Sequence, residues 1–235
     1  VDLPIYKQRN KVPVIRVLPQ GFAAARDMAL EWVLVDDASR DESLARMRAW
    51  QRKDARLRIV RLARHGGQAR ALDAGFRAAR GDVVATLDAD GQNDPRDLPR
   101  LLDALDRADV VCGVRAERRD DWLRRLSSRV ANGVRRAVLH DAITDIGCSL
   151  RVMRATPLRR VRLERGLHRF LPVLLALEGA RVVELPVAHR PRRFGRSKYG
   201  IGNRLGPALV DLFLVARRQR RARRGVATRA SRPPA

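Results

Sequence analysis

The chain has 235 residues, 45% of them apolar, enough for one large domain or two closely fused halves around a substantial core, and this composition excludes a disordered chain. No window approaches the roughly 18 to 20 consecutive apolar residues of a membrane-spanning helix, and the N-terminus lacks the layout of a secretory signal, so a cytoplasmic protein is expected. Lysine and arginine number 50 against 26 aspartates and glutamates, a formal net charge of +24, which implies anionic company: nucleic acid, a membrane face or a phosphorylated substrate.

Taken in order, the apolar and β-branched runs "EWVLVD" (31–36), "LRIVRL" (57–62), "DVVATLD" (82–88) and "DVVCGV" (109–114) predict strands. Between them "ESLARMRAWQRK", "GGQARALDAGFRAAR" and "PRDLPRLLDALDR" carry helical periodicity. In the last, Pro95 suits a first helical turn, and Leu98, Leu101, Leu102 and Leu105 fall on one face. Strand alternating with helix implies a doubly wound, mostly parallel α/β sheet, whose ligands bind beyond the carboxyl ends of the strands. Cys112 and Cys148 lie far apart and match neither a disulfide framework nor a metal site, so both are expected as reduced, buried thiols.

Two acidic pairs mark that carboxyl edge. Asp36 and Asp37 follow "WVLV", and Asp88 and Asp90 follow "VVATL". Aspartates after a strand serve as turn formers or helix caps, and a carboxylate cluster at a ligand-binding edge also suits a hard divalent cation that bridges to phosphate oxygens. Both readings stand at this point.

The series "LPIY" (3–6), "VDDAS" (35–39), "RHGGQARALDAGFRAARGD" (64–82), "LDADGQNDP" (87–95), "DIGCSLR" (145–151), "HRF" (168–170) and "RRFGRSKYG" (192–200) resembles the inverting family-two glycosyltransferases, in order and spacing, to about residue 205. More narrowly it resembles the dolichyl- or polyprenyl-phosphate sugar transferases. The resemblance implies a GT-A fold, a Rossmann-like nucleotide-diphospho-sugar transferase architecture. It implies a nucleotide-binding half over 1–95, an acceptor half with a basic loop over 96–200, and a helix and basic tail over 201–235.

By the same resemblance, Pro4 and Tyr6 wall the nucleotide of a GDP- or UDP-sugar, Asp37 accepts a hydrogen bond from its base, and Gly67 lies near the diphosphate. Asp88, Asp90 and Gln92 form a D-x-D-x-Q site for Mg²⁺ or Mn²⁺, which acts as a Lewis acid on the leaving diphosphate. Lys7, Gln8 and His65 stand where the family usually has Asn-Glu and Asn. Arg192, Ser197 and Lys198 match an R-x-x-G-x-S-K loop that closes over the diphosphate and the acceptor phosphate.

The acceptor half offers cationic groups. Arg115 follows the strand at 109–114, and "RRLSSRVAN" places Arg124 and Ser128 four residues apart, on one face if the segment is helical. Such a pair suits a polyprenyl phosphate or a solvated basic helix. A phosphate acceptor needs positioning, whereas a hydroxyl of a lipid or glycan needs a general base, for which Asp145 is the candidate. His168 suits either a core position or the site lining.

At the C-terminus, apolar residues recur at Ile201, Leu205, Leu209, Leu212, Phe213 and Ala216, followed by "RRQRRARRG". An amphipathic helix with a basic end suits peripheral contact with the anionic inner face of a membrane, or packing on the core. The last residues, "ATRASRPPA", read as a disordered tail. The excess charge is almost all arginine, in keeping also with a GC-rich codon bias. With 4% aromatics and no basic stripe interleaved with them, specific nucleic-acid binding is not expected.

Overall fold

A computed structural model describes residues 13–14, 29–88, 92–115, 122–190 and 205–230, with the backbone alone for 13–14, 122–130, 165, 205–208 and 222–230. The strands are β1 (Pro13–Val14), β2 (Trp32–Asp36), β3 (Leu57–Arg61), β4 (Val83–Asp88), β5 (Val110–Arg115), β6 (Arg151–Arg154) and β7 (Val182–Val187). Among the described residues they form one seven-stranded sheet in the order β3-β2-β1-β4-β6-β5-β7. β2 pairs with β3, and β5 with β7, in parallel. β1 runs against β2 and β4, and β6 runs against β4 and β5. Following these pairings, β2, β3, β4, β5 and β7 share one direction, so Asp36, Arg61, Asp88 and Arg115 all end strands at the same edge.

Burial explains why the strands read as continuous apolar runs. All of β2 is buried. Trp32 and Leu34 pack on one side with Met47, Leu98, Leu101 and Leu105, and Val33 and Val35 pack on the other against Ala71. A strand covered on both faces has no polar side to present, so period-two alternation disappears. The covering helices are α1 (Ser43–Gln51), α2 (Gly67–Ala78) and α3 (Leu98–Asp103). A 3₁₀ turn over Pro95–Asp97 leads into α3, and the Asp94 side chain caps it by accepting from the Arg96 amide.

The chain divides into two compact units, 1–118 with 145–197, and 119–144 with 198–235. The first holds the whole sheet, α1 to α3, and two short helices, α5 (Ala155–Arg160) and α6 (Leu171–Leu177). The second holds α4 (Trp122–Leu139) and α7 (Leu205–Ala230). These two are tied by Gln219, buried in α7, whose Nε2 donates to the carbonyl of Leu139 at the end of α4 (2.6 Å).

α7 sorts the apolar residues of its sequence differently from a single stripe. Leu212, Val215 and Ala216 are buried, while Leu209, Val210 and Phe213 are exposed. The helix also continues through the arginine run to Ala230, beyond the start of the predicted tail. Arginine and alanine are good helix formers, and the first proline after them is Pro233.

Gly113, inside β5, makes room for β7. A Cβ there would stand 2.7 Å from Val187 Cγ2, 3.1 Å from Cys148 Sγ and 3.1 Å from the Leu150 carbonyl. Gly113→Ala is therefore expected to destabilise the protein by about 1–3 kcal/mol through overpacking, read as a lower urea midpoint. Adding Val187→Ala should recover part of that loss. Additive losses would show that the methyl contact is not the cause.

Candidate active site

The carboxyl edge of the sheet gathers the polar groups. At the end of β2, Asp36 is fully buried; its Oδ1 accepts from the Ser39 amide (3.0 Å) and its Oδ2 lies 3.5 Å from Arg61 Nε. The turn so held puts Ala38 at φ 54°, a left-handed conformation that costs a non-glycine residue about 1–2 kcal/mol. Asp37, next in the chain, reaches across to the start of α2. Its Oδ1 accepts from the Gly66 amide (2.7 Å) and its Oδ2 from the Gly67 amide (2.9 Å), with His65 Nδ1 at 2.8 Å from Oδ2. Gly67 adopts φ 78°, so this junction requires glycine. Asp37 thus acts as a remote cap for α2, the bland role foreseen for such acids. A carboxylate has about four acceptor sites, and the three donors here leave capacity for a further one.

At the end of β4, Asp88 is held by Ser149, a residue the sequence reading passed over. Ser149 Oγ accepts from the Asp88 amide (3.2 Å) and from Asn93 Nδ2 (2.8 Å), and the Ser149 carbonyl accepts from Thr86 Oγ1 (2.9 Å). The Asp88 carboxylate meets Gln68 Nε2 at 3.4 Å. Beyond it, segment 92–97 is joined to the chain after β7. Asn93 bridges His189, the Arg190 amide donates to the Gln92 carbonyl (2.8 Å), and the Ala188 amide donates to Asp97 Oδ2 (2.8 Å). Asp94 binds Arg96 (2.7 Å) and Arg190 (2.5 Å), and the Arg96 guanidinium holds the Asp94 carboxyl below its usual range. Gln92 Nε2 faces His189 Nε2 at 3.3 Å.

At the end of β5, Arg115 grips Asp145 through two parallel bonds, Nε to Oδ2 and Nη2 to Oδ1, both 2.7 Å. The Gly147 amide also donates to Asp145 Oδ1 (3.2 Å), and the Asp145 amide donates to Glu184 Oε1 (3.1 Å). A Cβ on Gly147 would come within 2.9 Å of Arg115 Nη2, so glycine leaves space for this ion pair. The two residues that the sequence assigned to rival acceptor chemistries are therefore partners of each other.

Asp88 and Gln92 offer a carboxylate and an amide oxygen, which fit Mg²⁺ or Mn²⁺ better than a thiolate-loving metal. The third member, Asp90, lies outside the described residues, as do Pro4, Tyr6, Arg192, Ser197 and Lys198. Arg124 and Ser128 lie one helical turn apart on α4. His168 sits in a 3₁₀ turn, where its carbonyl accepts from Arg151 Nη1 (3.0 Å). Cys112 and Cys148 are buried free thiols; burial pushes the Cys112 thiol up to about 12 and raises that of Cys148. No helix among the described residues is long and apolar enough to cross a membrane.

The chain is similar to several known proteins. Residues 6–162 match the family described as Glycosyl transferase family 2. The chain is 38% identical over 205 residues to the undecaprenyl-phosphate 4-deoxy-4-formamido-L-arabinose transferase of Edwardsiella ictaluri, covering 86% of this chain and 62% of that one. It is 39% identical over 219 residues to the dodecaprenyl-phosphate galacturonate synthase of Rhizobium johnstonii, covering 91% and 64%. It thus spans less than two thirds of the length of either relative. In structure it is similar to the mannosyltransferase PcManGT of Pyrobaculum calidifontis, solved with GDP-Man and Mn²⁺ (TM-score 0.56, 22% identity, 80% of this chain and 55% of that). It is also similar to the glucosyl-3-phosphoglycerate synthase of Mycobacterium tuberculosis, solved with UDP (TM-score 0.55, 16% identity, 78% and 68%). These likenesses establish the GT-A fold, and the match over residues 6–162 establishes that the chain belongs to glycosyl transferase family 2.

Proposed function

We propose that the protein transfers a sugar, with inversion, from a nucleotide-sugar to a polyprenyl phosphate. The observation that carries this reading is the Arg115–Asp145 pair. A hydroxyl acceptor must lose a proton, and the carboxylate suited to take it, Asp145, is engaged by a guanidinium and a backbone amide. Asp36, Asp37 and Asp94 are likewise taken up by backbone amides or arginines. A phosphate acceptor is already anionic and needs only to be aligned behind the anomeric carbon. The polyprenyl-phosphate sugar transferases among the relatives support the same acceptor class.

In this reading, Pro4, Tyr6 and Asp37 contact the nucleoside, and the Gly66–Gly67 junction held by Asp37 lies by the diphosphate. Asp88, Asp90 and Gln92 would hold Mg²⁺ or Mn²⁺, which supplies charge stabilisation to the leaving diphosphate. Arg192, Ser197 and Lys198 add cationic and hydroxyl contacts to the phosphates. Arg124 and Ser128 grip the acceptor phosphate, whose oxygen displaces the nucleoside diphosphate directly without a covalent enzyme intermediate. GDP- and UDP-sugars are both candidate donors.

A peripheral site on an anionic membrane face suits a lipid acceptor. Its support is the outer face of α7, where Leu209 (58% exposed), Val210 (57%) and Phe213 (66%) precede the exposed Arg217, Arg220 and Arg221. Apolar burial and about 1 kcal/mol per arginine near the surface act together there.

Arg124→Ala and Ser128→Ala are expected to raise the KM for polyprenyl phosphate at least tenfold while leaving nucleotide affinity unchanged, and Asp145→Gln is expected to leave the preference for a phosphate over a hydroxyl acceptor unchanged. Loss of transfer to a hydroxyl acceptor in Asp145→Gln, with Arg124→Ala silent, would instead establish base catalysis.

The membrane reading has its own check. Leu209→Glu combined with Phe213→Glu alters exposed positions, so the fold should persist while flotation with phosphatidylglycerol vesicles is lost even at low salt. Retained flotation in that variant would leave a purely electrostatic attachment.

A further inference from the structure

We infer that His65 is a phosphate-binding residue of the donor site, which takes up a proton as a nucleotide-sugar binds and donates it in a hydrogen bond to the diphosphate. The inference rests on the reading of this edge as a nucleotide-sugar site. Strand order supplies the place. From β2 the chain passes outward to β3, and α2 then carries it back across β2 to β4, so the loop entering α2 opens where the connections diverge. In open α/β sheets ligands bind at that divergence, beyond the carboxyl ends of the strands. His65 lies in this loop, two residues before α2 begins at Gly67.

The backbone of the junction has little left to offer an anion. The Gly66 and Gly67 amides both donate to Asp37, at 2.7 and 2.9 Å, so these two donors are already taken. The ring of His65 is differently placed. Its Nδ1 lies 2.8 Å from Asp37 Oδ2 and 3.4 Å from the Asp37 carbonyl oxygen. Carboxylate and carbonyl oxygens accept and do not donate, so Nδ1 carries the hydrogen whichever of the two it serves. Nε2 is thereby the nitrogen left for a ligand: the side chain is 68% exposed, and Nε2 makes no hydrogen bond among the described residues.

With Nδ1 held in this way, Nε2 is a lone pair on the neutral ring and an N–H donor on the cationic one. The diphosphate of a nucleotide-sugar offers only acceptors near neutral pH. Contact therefore requires the cationic ring, and binding and protonation become one event. The bond so formed is charge-assisted, roughly twice as strong as a neutral one, with Asp37 holding the ring from its other side. The other charged groups on the segments that meet here are Asp36 and Arg40 after β2, Arg61 and Arg64 at and after the end of β3, Arg70 in the first turn of α2, and Asp88, which Gln68 of α2 reaches at 3.4 Å. Asp36 is engaged by the Ser39 amide and by Arg61. Arginines stay charged throughout, so they exchange no proton when an anion arrives, whereas histidine changes charge between about pH 5 and 8.

The test is titration calorimetry on the full chain at constant Mn²⁺, with UDP-glucose and GDP-mannose in buffers of different ionisation enthalpy at about pH 7.5, which reads proton uptake on binding without turnover. The wild type is expected to take up a fraction of a proton per nucleotide-sugar bound, and its affinity should fall about tenfold from about pH 6 to about pH 8. His65→Asn, which can still donate to Asp37 but carries no charge, should bind about tenfold more weakly at about pH 6 and take up no proton. His65→Lys, a cation across this range, should keep its affinity at the higher pH, also without uptake. Circular dichroism of each variant reports whether the fold is kept. Nucleotide-sugar binding to the wild type without proton uptake, the same uptake in His65→Asn, or an equal loss of uridine or guanosine affinity in that variant overturns the inference and leaves the donor site standing. If neither nucleotide-sugar binds the wild type, the donor reading itself is wrong, and the role of His65 falls with it.

Discussion

Ser149 holds together the parts of the carboxyl edge on which everything else depends. It lies two residues before β6, the strand that runs against its neighbours β4 and β5 and so starts at the edge where the parallel strands end. Its hydroxyl takes the amide of Asp88 and the side chain of Asn93, and its carbonyl takes the hydroxyl of Thr86. One residue therefore fixes positions on both sides of the acidic stretch 88–93. Without it, the Asp88 amide and the Asn93 side chain would each need another partner, because buried polar groups left unpaired cost about 1–3 kcal/mol.

The electrostatics follow a division of labour. The chain carries a large positive charge, yet among the described residues Asp36, Asp37, Asp94 and Asp145 at this edge are drawn inward and tied to specific partners. Asp37 restrains the start of α2, Asp94 joins two arginines, and Asp145 closes on Arg115. An edge with its carboxylates so engaged suits the binding of anionic diphosphate and phosphate groups more than the removal of protons from hydroxyls. The same account explains why Gly147 and Gly67 stand where they do: one makes room for an ion pair, and the other adopts a backbone angle that a side chain resists.

Much of the fold was legible in the sequence because burial leaves a strong trace. β2, β3, β4 and β5 read as apolar runs, and the leucines of α3 repeat at helical spacing. β6 left no such trace, since it is only four residues long and has arginine at both ends; the first of these, Arg151, is buried and donates to the carbonyls of Ile146 and His168. At the site, Asp88 announced itself by position at a strand end. Ser149, Glu184 and His189 did not, because a single polar residue has no periodicity and its role comes from contacts far along the chain. The pairing of Arg115 with Asp145, 30 positions apart, was hidden for the same reason. On α7 the spacing of apolar residues indicated an amphipathic helix, but that spacing did not tell which of them are buried: Leu212 and Val215 are, while Leu209 and Phe213 are exposed.

The central claim is that the acceptor is a lipid phosphate. It is tested most directly by incubating the protein with Mn²⁺ and a panel of GDP- and UDP-sugars, with undecaprenyl phosphate or undecaprenol, and identifying products by mass spectrometry. The account predicts a polyprenyl phosphosugar, with inverted anomeric configuration, formed from the phosphate and not from the alcohol. A glycosylated alcohol, or donor consumption with a glycan hydroxyl that proceeds without any lipid phosphate, would contradict it.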